Sequence, residues 1–125
     1  MAQASAGRKA VVRNTAEVLW ENPPGHSPGA ISKMLVRPET AGSRLIDFRI
    51  STYQPMSYVE NHAHKVQEQI YHVLEGEGLM ELDSERRVVR AGDFIFIPPG
   101  VQHAIHNTGR TDLTFFVVTS PPEDQ

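Results

Sequence analysis

The stretch NHAHKVQEQIYHVLEGEG, residues 61–78, places His62 and His64 one residue apart, just ahead of a run with β-strand character. Glu68 and Gln69 follow at short range. In a strand, side chains at i and i+2 share a face and lie about 7 Å apart along the chain. Two imidazoles so placed can lean onto one ion, at about 2.0–2.1 Å if it is zinc. An H-x-H pair alone is a common surface feature. Two additions strengthen it: the carboxylate or amide at Glu68 or Gln69, and the segment GDFIFIPPGVQHAIHN (92–107), which supplies His103 after a Pro-Pro-Gly bend. The glycine permits a tight turn and the prolines stiffen the approach, so His103 has a fixed direction. In a regular strand His106 has the opposite parity and faces away from His103.

Outward from this stretch the chain breaks into short β-like runs at residues 31–37, 43–52, 70–76, 78–83, 86–90, 93–98, 102–107 and 113–119. They are rich in β-branched and aromatic residues and are mostly separated by Gly, Pro, Asp or Asn. LDSER (82–86) and NTGRTD (107–112) read as turns between strands. AVVRNTAEVLW (10–20) reads as a short strand or a single helical turn, and the proline-rich ENPPGHSPGA (21–30) as a loop. No long window carries a helical period. Many short strands without intervening helices predict an all-β sandwich or barrel. The expected organisation is an N-terminal segment, 1–30, partly disordered and able to exchange a strand with a dimer partner; a barrel, 31–120; and a tail, 121–125.

The 125 residues suit one domain, and 39% apolar residues suffice for one core. A net charge of −3 predicts no nucleic-acid or membrane affinity. RRVVR (86–90) is flanked by acidic residues and reads as a solvated hairpin. With no cysteine, disulfides, thiolate metal sites and a cysteine nucleophile are excluded. No run approaches the roughly 20 apolar residues of a membrane helix, nor does the N-terminus read as a signal peptide. The expectation is a soluble, cytoplasmic protein.

The spacing resembles that of the cupins, small double-stranded β-barrels of jelly-roll topology. Their first motif has H-x-H, three or four residues, Glu, six residues, then Gly; here His62-Ala63-His64 is followed by four residues, Gln69, six residues and Gly76. Their second motif is matched throughout by Gly92, Pro98, Gly100, His103 and Asn107. The likeness covers 62–107, and flanking strands extend it to about 43–119. Two positions depart from the pattern: Met56 stands where a glycine is expected, and Gln69 where the usual ligand is glutamate. A one-residue slip would make Glu68 the ligand, but it would also reverse the face of the strand. The count to Gly76 favours Gln69.

The resemblance implies one divalent transition metal ion per chain (Zn, Ni, Fe or Mn), held by His62, His64, Gln69 and His103. Neutral donors would leave the ion its full formal charge, holding it less firmly than a carboxylate set but polarising a ligand more strongly. The leading expectation is an enzyme acting on a small oxygenated metabolite, a carboxylate or hydroxyketone, by Lewis-acid or oxygen chemistry: a dioxygenase, isomerase, decarboxylase or lyase. A binding module without turnover is the alternative, and a storage protein the least favoured. Tyr71 is the candidate hydrogen-bond donor beside the ligands, with a core tyrosine equally compatible. His72 is expected on the outer face and His26 exposed in its loop; Arg44 and Arg49 would pair with surface carboxylates or reach an anionic substrate. Phe94, Phe96, Phe115 and Phe116 are expected in the core. Trp20 is expected at a partner subunit, since small barrels cover strand edges by forming homodimers.

Overall fold

The computed structural model describes residues 9–124; residues 1–8 of the segment expected to be partly disordered lie outside them. Eight strands are formed: β1 (Ala30–Val36), β2 (Asp47–Tyr53), β3 (Glu68–Glu75), β4 (Glu77–Leu82), β5 (Glu85–Arg90), β6 (Phe94–Ile97), β7 (His103–His106) and β8 (Leu113–Ser120). They make a five-stranded antiparallel sheet, order β1-β2-β8-β3-β6, facing a three-stranded one, order β5-β4-β7. The fold is the expected all-β double-stranded barrel. Residues 58–62 lie along the free edge of β7 through bridges Tyr58–His106 and His62–His103, extending the small sheet.

The helical turn foreseen as one option in 10–20 is a 3₁₀ turn, Thr15–Glu17, capped by the Asn14 side chain on the Ala16 N–H. The segment 43–46 is not strand. A one-turn helix, α1 (Pro38–Ala41), precedes it and ends at Gly42, whose φ of 68° suits glycine. Glu21 exchanges two backbone hydrogen bonds with Ser32, so the N-terminal segment is tied along the outer edge of β1 of its own chain.

Within the large sheet, β2 reverses the usual amphipathic phase. On β2 the inward residues are Asp47, Arg49, Ser51 and Tyr53, while Phe48, Ile50 and Thr52 face outward. Cross-strand register aligns Phe48 with Val118, Ile70 and Phe96, and Ile50 with Phe116, His72 and Phe94. Phe94 and Phe96 are therefore not core residues: they are 76% and 53% exposed on the outer face. Phe116 is half-buried against Phe48, with ring centroids 5.1 Å apart. Only Phe115 fits the expectation, being fully buried. It stacks on Tyr71 (5.3 Å, 10°) and meets Tyr53 edge-on (5.1 Å, 68°). Such pairs add roughly 0.5–1.5 kcal/mol each beyond burial. Met80, Val73, Ile97, Ile105 and Leu113 complete the packed core between the sheets.

Gly76 turns β3 into β4 at φ 82°, and a Cβ there would collide with the Asp112 carbonyl. Asn107 is buried and fully bonded, donating to the Tyr53 and Thr111 carbonyls and accepting from the Gly109 N–H. At Met56 the backbone keeps the left-handed conformation, φ 78°, in a turn closed by Ser57 N–H on the Gln54 carbonyl. The turn therefore does not adapt to the side chain. A non-glycine residue pays roughly 1–2 kcal/mol for that conformation, against ~0.5–1 kcal/mol of extra chain entropy lost by glycine. Met56 is 89% exposed and contributes little packing. Met56→Gly should accordingly raise the melting temperature by a few degrees, about 1 kcal/mol or less, whereas Gly76→Ala should lower it; calorimetry of the two variants checks both signs.

Candidate metal centre

His62 and His103 are directly opposed across the pairing of residues 58–62 with β7. Each donates its backbone N–H to the other's carbonyl, at 3.0 and 2.8 Å. Directly opposed residues project to the same side, and their imidazole centroids are 4.2 Å apart. His64, two residues on, reaches the same side, with centroids 4.9 Å from His62 and 5.3 Å from His103. The three rings thus share a face, although His62 and His64 belong to an irregular segment rather than the regular strand expected. One nitrogen from each of the three lies within 4.8 Å of those of the others.

The tautomers follow from the partners. A carbonyl only accepts, so His62 Nδ1–H donates to Glu60 (2.6 Å) and His103 Nδ1–H to Val101 (2.9 Å). Each leaves Nε2 as a lone pair. His103 Nε2 and His64 Nε2 are buried without a hydrogen-bond partner. Burial, first of all, lowers the pKa of His103 to about 4; the neighbouring His62 and His64 lower it further against the Val101 bond. Burial likewise lowers that of His64, offset in part by Asp124 and by the Gln69 amide, whose approach falls short of a full hydrogen bond.

Gln69 comes from the opposite sheet. It stands across from Thr119 in the β3–β8 register, and its Nε2 donates to Thr119 Oγ1 at 3.0 Å. That bond fixes the amide, leaving Oε1 buried and unpartnered. Glu68 is exposed and does not line the cavity, as strand parity requires. Three unsatisfied buried polar atoms, two ring nitrogens and one amide oxygen, are costly at roughly 1–3 kcal/mol each. Neutral N and O donors of this kind suit a borderline transition metal. The chain therefore carries three histidines placed to hold a metal ion, and its donor chemistry fits one.

The cavity beside them is about 490 Å³. Arg49 lines it, held by Asp47 through Nε (2.9 Å) and Nη2 (2.8 Å). Asp47 is buried, so this arginine has found an interior carboxylate rather than a surface one; Arg44 is exposed. Tyr71 also lines the cavity, its phenol pKa pushed up to about 12 by burial, and Tyr53 is shifted well upward for the same reason. His26 is not simply exposed. Its loop folds over the mouth, Nδ1–H donating to Pro24 (2.9 Å) and the ring edge-on to Tyr53 at 6.0 Å, and burial lowers its pKa. No motif pointed to it; the rigid PPG run ahead of it was the available signal. His106 faces away, bonded through Nε2 to Glu81 Oε1 at 2.8 Å, and His72 is exposed. Trp20 is 45% exposed, with Lys33 Nζ 4.9 Å from its ring centroid.

A cupin-domain family model matches residues 49–119. The chain belongs to the cupin family. An oxalate-binding protein of Thermotoga maritima is 41% identical to this cupin over 64 residues, which are 51% of the chain and 53% of that relative. The match spans about half the length of the first curated relatives. The solved structure of a predicted oxalate decarboxylase from Thermotoga maritima is 30% identical at a TM-score of 0.79, covering 88% of this cupin and 98% of that chain. KdgF from Halomonas sp. shares the fold at 20% identity and a TM-score of 0.80, over 93% and 97% of the two chains. No described helix is long and apolar enough to cross a membrane.

The buried neutral His103 makes the metal-free protein sensitive to acid. Its folded pKa, about 4, lies below the unfolded value of about 6.5. The unfolded state therefore binds more protons between these values, and stability must fall as pH drops through that window. Melting temperatures of metal-free protein should decline from pH 6.5 to 4, and His103→Gln should flatten that slope.

Proposed function

We propose that this cupin is a metal-dependent enzyme acting on a small oxygen-rich metabolite bearing a carboxylate or an α-hydroxyketone. The observation that carries the reading is the set of buried, unpartnered polar atoms on His64, His103 and Gln69 beside the Nε2 of His62. In this reading His62, His64, Gln69 and His103 are the metal ligands. A bound Zn, Ni, Fe or Mn ion would supply Lewis-acid charge, undiminished because all four donors are neutral. Arg49, held by Asp47, offers its remaining N–H groups to an anionic end of the substrate. Tyr71 stays protonated across the working pH range and donates a hydrogen bond to a developing negative charge. Cross-strand register puts Arg49 and Tyr71 either side of Val117, one row along from Gln69, so a ligand reaching all of them lies along the sheet.

A carboxylate ligand is also supported by the relatives named for oxalate. The name of the oxalate-binding relative favours a second reading, capture of such an anion without turnover. Metal-loaded protein incubated with oxalate, a 2-oxo acid or a hydroxyketone separates the two. Product or carbon dioxide release, or oxygen uptake, supports catalysis; saturable calorimetric binding with no product over hours supports the binding module. His62→Ala should abolish metal retention in elemental analysis, and unchanged metal content would overturn the site. Gln69→Glu should tighten metal binding by adding a carboxylate.

The same reading includes a homodimer. Phe94, Phe96, Ile70 and Val88 leave more exposed apolar surface together than single scattered residues do. A Phe94→Lys, Phe96→Lys double variant should run at monomer mass in light scattering while the parent runs at twice that mass.

A further inference from the structure

The four residues 65–68 join His64 to Gln69, so their conformation sets how two of the candidate ligands face each other. Asp124, arriving from the segment after β8, closes on this connection. Its Oδ2 accepts from the Lys65 N–H at 2.8 Å, and its Oδ1 from Val66 at 2.8 Å and, more weakly, Gln67 at 3.4 Å. The buried Gln67 ties the same segment again, donating from Nε2 to the Pro121 carbonyl at 3.0 Å. Consecutive N–H groups converging on one point form an anion-binding concavity; here it is filled by the chain's own carboxylate.

That carboxylate also faces the centre. Asp124 Oδ2 lies 3.8 Å from His64 Nδ1. His62 and His103 have backbone carbonyls at Nδ1, whereas His64 has this acid. At that distance the acid makes an electrostatic contact rather than a hydrogen bond, which favours the imidazole's orientation and raises its basicity.

We propose that Asp124 is a positioning residue for the metal centre, clasping the His64–Gln69 connection so that metal affinity depends on the docked segment 121–124. The inference rests on the metal-site reading above. Coupling of this kind is reciprocal, so metal uptake must tighten the clasp by the same factor that the clasp tightens metal binding.

The test measures Zn(II) affinity by chelator competition for the parent chain, Asp124→Asn, Asp124→Ala, Asp124→Glu and Glu123→Gln, each checked for folding by circular dichroism. Binding should weaken about 10–100-fold in Asp124→Asn and Asp124→Ala and recover in part with Asp124→Glu. Glu123→Gln, which removes a neighbouring exposed charge outside the clasp, should leave it unchanged. Hydrogen exchange supplies the second readout: Zn(II) should slow exchange of the Lys65 and Val66 amides in the parent and have no such effect in Asp124→Asn. Affinity within twofold of the parent in both Asn and Ala variants, or amide exchange indifferent to Zn(II) in the parent, overturns the clasp alone. A parent chain that takes up neither Zn(II) nor Ni(II) overturns the metal reading and the clasp with it.

Discussion

The reciprocal backbone pairing of His62 with His103 is the constraint on which the site depends. Its two hydrogen bonds are worth only about 1 kcal/mol each in net stability, yet they fix the register at the end where the histidines meet. A slip of one residue would turn the His62 and His64 rings away from His103. The segment 58–62 achieves this without being a regular strand, because β7 offers a free edge and Val59 and His62 both donate to it. The Pro-Pro-Gly bend before β7 and the turn at Met56 before residue 58 bring the two edges together. The left-handed backbone at Met56 is part of that arrangement: its N–H donates to the Asn107 carbonyl, at the far end of β7.

The cage draws on both sheets, so the cavity exists only while the walls are held at a fixed separation. At one end Met80, Ile105, Leu113 and Val73 fill the space between them. At the other, the row formed by Asp47, Thr119 and Gln69 and the next row, containing Arg49, Val117 and Tyr71, line an open volume. Thr119 links structure to function most directly. As a buried strand residue it continues the alternation of β8; as a hydroxyl acceptor it decides which end of the Gln69 amide meets the histidines. Uncompensated acceptors at the centre cost stability in the metal-free chain, which is the usual trade between a preorganised site and a relaxed one.

Strand period made much of this legible in the sequence. The parity that separates His103 from His106, and Gln69 from Glu68, is a property of any extended chain, and the structure follows it at both places. The Pro-Pro-Gly bend of the second motif was legible for a similar reason, because its residues are demanded locally, whereas the buried Asn107 also bonds the distant Tyr53 carbonyl. What was not legible depended on contacts between distant segments. The rigid PPG run ahead of His26 does not by itself show that its loop will cap a cavity lined by Asp47, Arg49, Ser51 and Tyr53. Nothing near Asp124 shows that it will meet residues 65–67. The phase of β6 was misread at Phe94 and Phe96 because its FIFI run is apolar on both faces, and Ile95 and Ile97, not the aromatic residues, take the core side.

The inversion on β2 has an energetic consequence. A sheet that spends its inner face on Asp47, Arg49, Ser51 and Gln69 recovers less hydrophobic free energy there than an ordinary sandwich wall does. Its inner face still carries Tyr71, Val73, Ile97, Leu113, Phe115 and Val117, but a second apolar set, Phe48, Ile50, Ile70, Phe94, Phe96 and Phe116, is distributed over the outer face. They stabilise the fold fully only when another surface covers them. At Phe94 and Phe96, on the last strand of the sheet, no element of the described chain does so. The polar inner residues of β2 and the apolar outer face are therefore linked: the strands that line the cavity also present a face on which association can restore what the β2 wall gives up.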